Sequence, residues 1–250
     1  MKKSVVVIGA LATAAVLAAC GPDGSSGTGV SSTSATATTT GATSSPTVAG
    51  SPQAAPFTAT TVTLVGNYYR VDVPQVEGGT DVARFGFNRA MQDGVVQWIS
   101  HNSLPMDSVT SRDGEMVRIG SRVLSGHLIV TVYGDGAAHP NSFDLAQVTD
   151  IDTGQSITLP DLFTDLQQGL NTLSIQAEAL VRQNPRATGY SKSLLTPVAE
   201  HFQTWVATPE GMRIYLGEIS SHAAGNIDVT MPWSALDSVL KPGVRAVVSS

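Results

Sequence analysis

Hydrophobic and polar positions divide this chain into three stretches of different character. Residues 4–19 are almost wholly apolar, residues 21–56 show no apolar periodicity, and from Phe57 onward the pattern is that of a folded domain. Within the domain, Thr61 to Val73 is rich in β-branched and aromatic residues and reads as a strand. Pro74 and Gly78-Gly79 break it. From Asp81 to about Ser100, Val82, Phe85, Met91, Val95, Trp98 and Ile99 mark an amphipathic helix, with Gly94 as its weak point. Met116 to Ile119 and Val123 to Tyr133 read as paired strands. In the second, Leu128, Val130 and Val132 alternate with Ile129, Thr131 and Tyr133, so both faces carry bulk and the strand is expected to be central.

Phe143 to Ile151 is a further strand, followed by turn residues Asp152-Thr153-Gly154-Gln155 and a short return strand from Ser156 to Leu159. Leu166, Leu170, Leu173, Ala177 and Leu180 recur at steps of four and three, which puts them on one face of a helix that Asn184-Pro185 ends. His201 to Val206, Met212 to Leu216 and Ile227 to Met231 read as strands, and Ser234 to Leu240 as a short closing helix. Strands and helices mix without regular alternation. The expected fold is α+β, with helices packed on a largely antiparallel sheet.

The apolar stretch at the start changes the picture from fold to address. Lys2 and Lys3 precede it, and Leu17-Ala18-Ala19-Cys20 closes it. A basic head, an apolar middle and small residues at the end form a secretory leader. The run is also short against the roughly 20 residues of a membrane span. The last four residues resemble the bacterial lipobox, in which the cysteine thiol receives a lipid before cleavage. Residues 1–19 are therefore expected to be removed and Cys20 lipidated. That places the domain outside the cell, tied to the outer face of the membrane. Cys20 is the only cysteine, so the mature domain has no disulfide and no thiolate chemistry of its own.

Residues 21–56, behind Cys20, are dominated by Gly, Ser, Thr, Ala and Pro, with a single charge at Asp23. Such a composition cannot bury enough surface to offset its ordering entropy, and reads as a tether. Its root-mean-square span is about 30–36 Å. Residues 57–250 are expected to form the extracellular domain, in an N-terminal module at 57–122 and a C-terminal module at 123–250.

The chain carries 20 acidic against 14 basic residues, and loss of Lys2 and Lys3 makes it more acidic still. This balance gives no electrostatic footprint for nucleic acid. It suits a basic partner, since opposite potentials speed encounter. His101, His127, His139, His201 and His222 form no zinc-spaced pair, and no cysteine remains to complete a set, so no metal and no cofactor is expected. No nucleophile elbow, Walker loop or dinucleotide fingerprint is present. Asp150-Ile151-Asp152-Thr153-Gly154 has an imperfect likeness to a calcium loop, with its glycine one place early, and a β-turn explains it better.

The most distinctive loop runs from Tyr133 to Asn141. Gly134 and Gly136 permit tight turns, and His139 precedes a proline. His139, with Asp135 and Asn141, is either a polar contact in a ligand groove or a hydrogen-bonded histidine buried under the loop. The loop from Glu218 to Gly225, with His222, is of the same kind. Together they are the candidate binding residues.

Gly136-Ala137-Ala138-His139-Pro140-Asn141, Phe143-Asp144-Leu145 and the stretch 152–163 resemble the C-terminal extracellular family typified by the lysozyme-sensing anti-sigma factor RsiV. The likeness continues through 208–212, 223–225 and 229–236, and Tyr69 to Gly79 with Asn88 resembles the smaller module that precedes it there. The resemblance implies an extracellular α+β domain without known catalysis, and lysozyme recognition as one function within the family. The chain departs from the anti-sigma factor in having a lipobox and tether where that protein has a sigma-binding segment and a membrane helix. The expected function is a non-enzymatic, lipid-anchored module that binds a protein, lysozyme among them, or a wall glycan. The alternatives are a wall-polymer hydrolase using His139 or His222 beside an aspartate, and a structural surface antigen.

Overall fold

The computed structural model describes residues 55–104 and 107–250. Cys20, the leader and residues 20–54 of the tether lie outside them. Among the described residues no helix is long and apolar enough to cross a membrane.

The fold is α+β, built on a five-stranded mixed sheet and a three-stranded antiparallel sheet. The first two strands, β1 (Thr58–Val65) and β2 (Tyr69–Glu77), form an antiparallel hairpin where the sequence pattern reads one strand from Thr61 to Val73. β-Branched residues continue on both sides, so only Gly66-Asn67 marks the turn. A Cβ on Gly66 would sit 2.2 Å from the Tyr69 ring, so any other residue there would have to displace that ring. Pro74 does not end the strand as expected. It lies beyond the short β2–β3 ladder, where its missing N–H costs no bond on that side.

Helix α1 (Asp81–Asn102) buries Ala83, Phe87, Met91, Val95 and Ile99, four residues apart. Val82 and Phe85, expected on that face, are 52% and 62% exposed. Small Ala83 hides the true start of the stripe, and Phe85 imitates one. Asn88 projects from α1 onto β2: its Oδ1 accepts from the Val76 N–H at 2.8 Å, and its Nδ2 donates to the Val76 carbonyl at 2.9 Å. One side-chain amide thus stands in for a neighbouring strand. The helix carries the chain over to β3 (Ser108–Ile119), which pairs parallel with β2.

β3, β4 (Val123–Tyr133) and β5 (Asn141–Asp150) then form an antiparallel meander. The polar first half of β3 has no apolar alternation to betray it, and its ladder shifts register between Arg112 and Glu115, around Asp113 at φ 51°. β3 and β4 join through residues 120–122, so both modules share this one sheet. β4 lies inside the sheet as expected, but the second face expected to be covered is open: Ile129 and Thr131 are half-buried and Tyr133 is exposed. Leu124, Leu128 and Val130 face α1, while Val123 faces the second core.

That second core packs α2 (Leu159–Leu162), α3 (Leu166–Val181), β6 (Trp205–Ala207), β7 (Gly211–Gly217) and β8 (Ile227–Pro232). α3 falls where the leucine spacing places it. The return strand at 156–159 does not form beyond a Ser156 bridge to Thr149. A capping box, with Asp161 accepting from the Thr158 N–H at 2.8 Å, starts α2 instead. The strand expected from His201 shortens to β6. The closing helix at 234–240 is only a 3-10 turn at Trp233–Ala235. Residues 236–239 continue as turns, and the helical run stops where Thr164 N–H bonds to the Val239 carbonyl at 3.0 Å and Leu240 bridges Phe163. The last helix is α4 (Val244–Val248).

Candidate functional site

Alternation along β4 makes the site. Its odd positions point away from α1, and the second core covers only the first two, Val123 and Ser125. Ser125 accepts from the Ala207 N–H at 3.1 Å, which fixes β6 against β4. Beyond it, His127, Ile129 and Thr131 face an open groove between the large sheet and the strands β7 and β8. The groove has two depressions, of about 480 and 220 Å³, that share Asn226. Thr110, Ser111, Thr131 and Ser142 supply hydroxyls to the larger one.

The smaller depression is floored by a buried polar chain. His127 Nε2 lies 2.8 Å from Asp144 Oδ1, with both side chains 6% exposed. Asn226 donates through Nδ2 to the other oxygen of Asp144 at 2.6 Å. This bond fixes the orientation of the amide, because a flipped Asn226 would set oxygen against oxygen. Asn226 Oδ1 and Arg213 Nε are buried with no hydrogen-bond partner among the described residues. His127 lies flat on Tyr215. Burial pushes the Tyr215 phenol up to about 12, against the opposing pull of Arg213.

The lining is acidic on balance. The carboxylates of Asp113, Glu115, Asp144, Asp228 and Glu218 outnumber the guanidinium groups of Arg112 and Arg213. Asp144 is committed to His127 and Asn226, and Asp113 pairs with Arg112 at 2.7 Å. Glu115 and Asp228 make no ion pair among the described residues and present their charge to the groove.

The structure brings two of the sequence candidates together. His139 and His222, from different loops, stand with ring centroids 4.2 Å apart at the end of the groove. Both are exposed, which removes the reading of His139 as a buried histidine under its loop. Asp135 and Asn141 are also exposed, but they do not line the groove. The segment around Asp150 is the β-turn expected. Asp150 Oδ1 accepts from the Thr153 N–H at 3.0 Å, Gly154 takes φ 69°, and Asp152 pairs with Arg122. Among the described residues no three His, Cys, Asp or Glu side chains converge as a metal site.

His127, Asp144, Tyr215, Arg213 and Asn226 escape sequence reasoning. One signal was available: His127 is the one ionisable side chain inside the mostly apolar stretch from Val123 to Val132, and a polar group buried there needs a partner. Nothing along the chain tells which partner. Asp144, Tyr215 and Asn226 lie 17, 88 and 99 positions away and meet only through the fold.

No family model matches the chain, and no curated protein matches it. Solved structures share its architecture, among them two of the DUF3298 family. A DUF3298 family protein from Pseudomonas aeruginosa PAO1 superposes with a TM-score of 0.53 at 10% identity, covering 75% of this chain and 96% of that one. A DUF3298 family member from Bacteroides fragilis NCTC 9343 superposes with a TM-score of 0.50 at 13% identity, covering 76% and 95%. At such identities the likeness is one of fold, and the fold of this chain is that of its DUF3298 neighbours, a domain of unknown function.

Proposed function

We propose that this chain is a lipid-anchored binding module, held at the outer face of the cell membrane through Cys20, whose groove receives a basic protein of the lysozyme type. The acidic lining of the groove carries the reading. Glu115 and Asp228 offer charge without an ion pair of their own, on a chain that is acidic as a whole. Opposite potentials of this kind raise the rate of encounter and reject acidic competitors. The resemblance to the RsiV-type family supports the same class of partner. The hydroxyls around the larger depression favour a second ligand class, a wall glycan, whose sugar hydroxyls they would meet.

The alternative of a wall-polymer hydrolase with His139 or His222 beside an aspartate finds less support: Nδ1 of His222 lies on Glu218 and Nδ1 of His139 on the Pro140 carbonyl, so neither ring is paired with an aspartate among the described residues.

The test is a calorimetric titration of the full-length chain with lysozyme at two ionic strengths. The Debye length falls from about 30 Å at 0.01 M to about 8 Å at 0.15 M, so binding should weaken steeply between them. Glu115→Gln with Asp228→Asn should weaken it further at low salt. Absence of binding at low salt ends the basic-protein reading. Binding indifferent to the double substitution moves the contact away from the groove. For the anchor, Cys20→Ser should release the chain from the membrane fraction or stall its processing.

A further inference from the structure

Two histidines from separate loops meet at the end of the groove. His139 lies in the β4–β5 loop, just before Pro140, and His222 opens the 3-10 turn His222–Ala224 between β7 and β8. Their ring centroids are 4.2 Å apart, with planes inclined at 34°. Neither ring is buried, and the His222 side chain is 51% exposed. Burial of apolar area therefore does little to hold them in contact.

The hydrogen bonds of the two rings match. Nδ1 of His222 lies 2.9 Å from Glu218 Oε1. Nδ1 of His139 lies 3.2 Å from the carbonyl oxygen of Pro140. A carboxylate and a carbonyl only accept, so in each neutral ring the proton belongs on Nδ1 and the lone pair on Nε2. An imidazole whose far N–H is tied to a carboxylate or a backbone carbonyl has the outer-shell arrangement of a metal-ligating histidine. Here both members of a touching pair have it.

We propose that His139 and His222 bind one divalent transition-metal cation through their two Nε2 atoms, with Glu218 and the Pro140 carbonyl as the outer shell and solvent completing the coordination. Two imidazoles in neighbouring positions on one cation, each bound at about 2.0–2.1 Å, set their ring centroids about 4.4–5 Å apart, close to the 4.2 Å between His139 and His222. Imidazole without thiolate suits copper, nickel and zinc, and the stability order makes Cu²⁺ the tightest of these. A bound cation would clip the β4–β5 loop to the β7–β8 loop at the groove's end. The proposal stands apart from the basic-protein reading, since it uses neither Glu115 nor Asp228.

The experiment is a Cu²⁺ titration of the full-length chain, prepared without a histidine tag and followed by calorimetry and electron paramagnetic resonance. The expected result is one tight Cu²⁺ per chain, with hyperfine coupling to two imidazole nitrogens. His139→Ala or His222→Ala should each remove one nitrogen and weaken binding by about tenfold or more, and Glu218→Gln should weaken it by about 10- to 100-fold. His101→Ala, a substitution of an exposed histidine on α1, should change nothing. The nitrogen count on the unaltered chain is a readout that does not depend on any variant folding. A signal without two imidazole nitrogens, affinity unchanged in both His139→Ala and His222→Ala, or an equal loss in His101→Ala overturns the proposal.

Discussion

The imidazole of His127 lies flat against the phenol ring of Tyr215, with centroids 3.9 Å apart and planes 3° from parallel. One residue belongs to β4 and the other to β7, so the stack joins the large sheet to the small one along the floor of the groove. A double-mutant cycle on His127→Ala and Tyr215→Ala should give a coupling energy of about 0.5–1.5 kcal/mol by urea unfolding. A coupling of zero would mean that the rings are neighbours without energetic linkage.

Asp144 holds two buried donors, from His127 and from Asn226. Asp144→Ala leaves both without an acceptor, at about 1–3 kcal/mol for each unsatisfied group. Equilibrium unfolding should place this variant well below the unaltered protein. Asp144→Asn, which keeps an acceptor oxygen, should fall between them. The order of the two variants checks the argument independently of the absolute values.

Two glycines on α1 should respond oppositely to alanine. A Cβ on Gly86 would lie 2.0 Å from the carbonyl oxygen of Gly154, a backbone atom that cannot swing aside. Gly86→Ala should destabilise by about 1–3 kcal/mol, as overpacking does. Gly94 has nothing within 4 Å of the same position. Gly94→Ala should stabilise by about 0.5–1 kcal/mol through helix propensity. Thermal melts of the two variants should shift in opposite directions.

Burial holds the Tyr215 phenol neutral up to about 12, above the ordinary value of 10.0. A raised value means that the folded state keeps its proton longer than the unfolded chain. The resulting stability is complete below pH 10 and is lost as pH rises from there through about 12. Ultraviolet titration of phenolate should show a late step that vanishes in Tyr215→Phe. The same variant should flatten the fall in stability over that interval.

The helix α3 and the strands β4, β5, β7 and β8 were legible because each has its own repeat: leucines at steps of three and four, or bulk on alternate residues. Where the repeat was polar, as in the first half of β3, or ran through a turn, as at Gly66-Asn67, it misled. The candidate loops were partly legible. Glycines, a proline and a histidine mark both, and their meeting at His139 and His222 needed only that β4–β5 and β7–β8 end at one place. The groove floor was not legible, since its members are drawn from β4, β5, β7 and the loop before β8.

By itself the sequence determined the α+β class, the α1 and α3 helices and the interior place of β4 in its sheet, because burial periodicity is a local property of the chain. It also carries the leader pattern and the lone Cys20, read without any structure. Only the tertiary structure decided which polar groups share an environment. It tied Asp144 to His127 and Asn226, set Tyr215 under His127, and left Glu115 and Asp228 facing the groove. Those relations depend on how two sheets pack, and packing joins residues that no spacing along the chain connects.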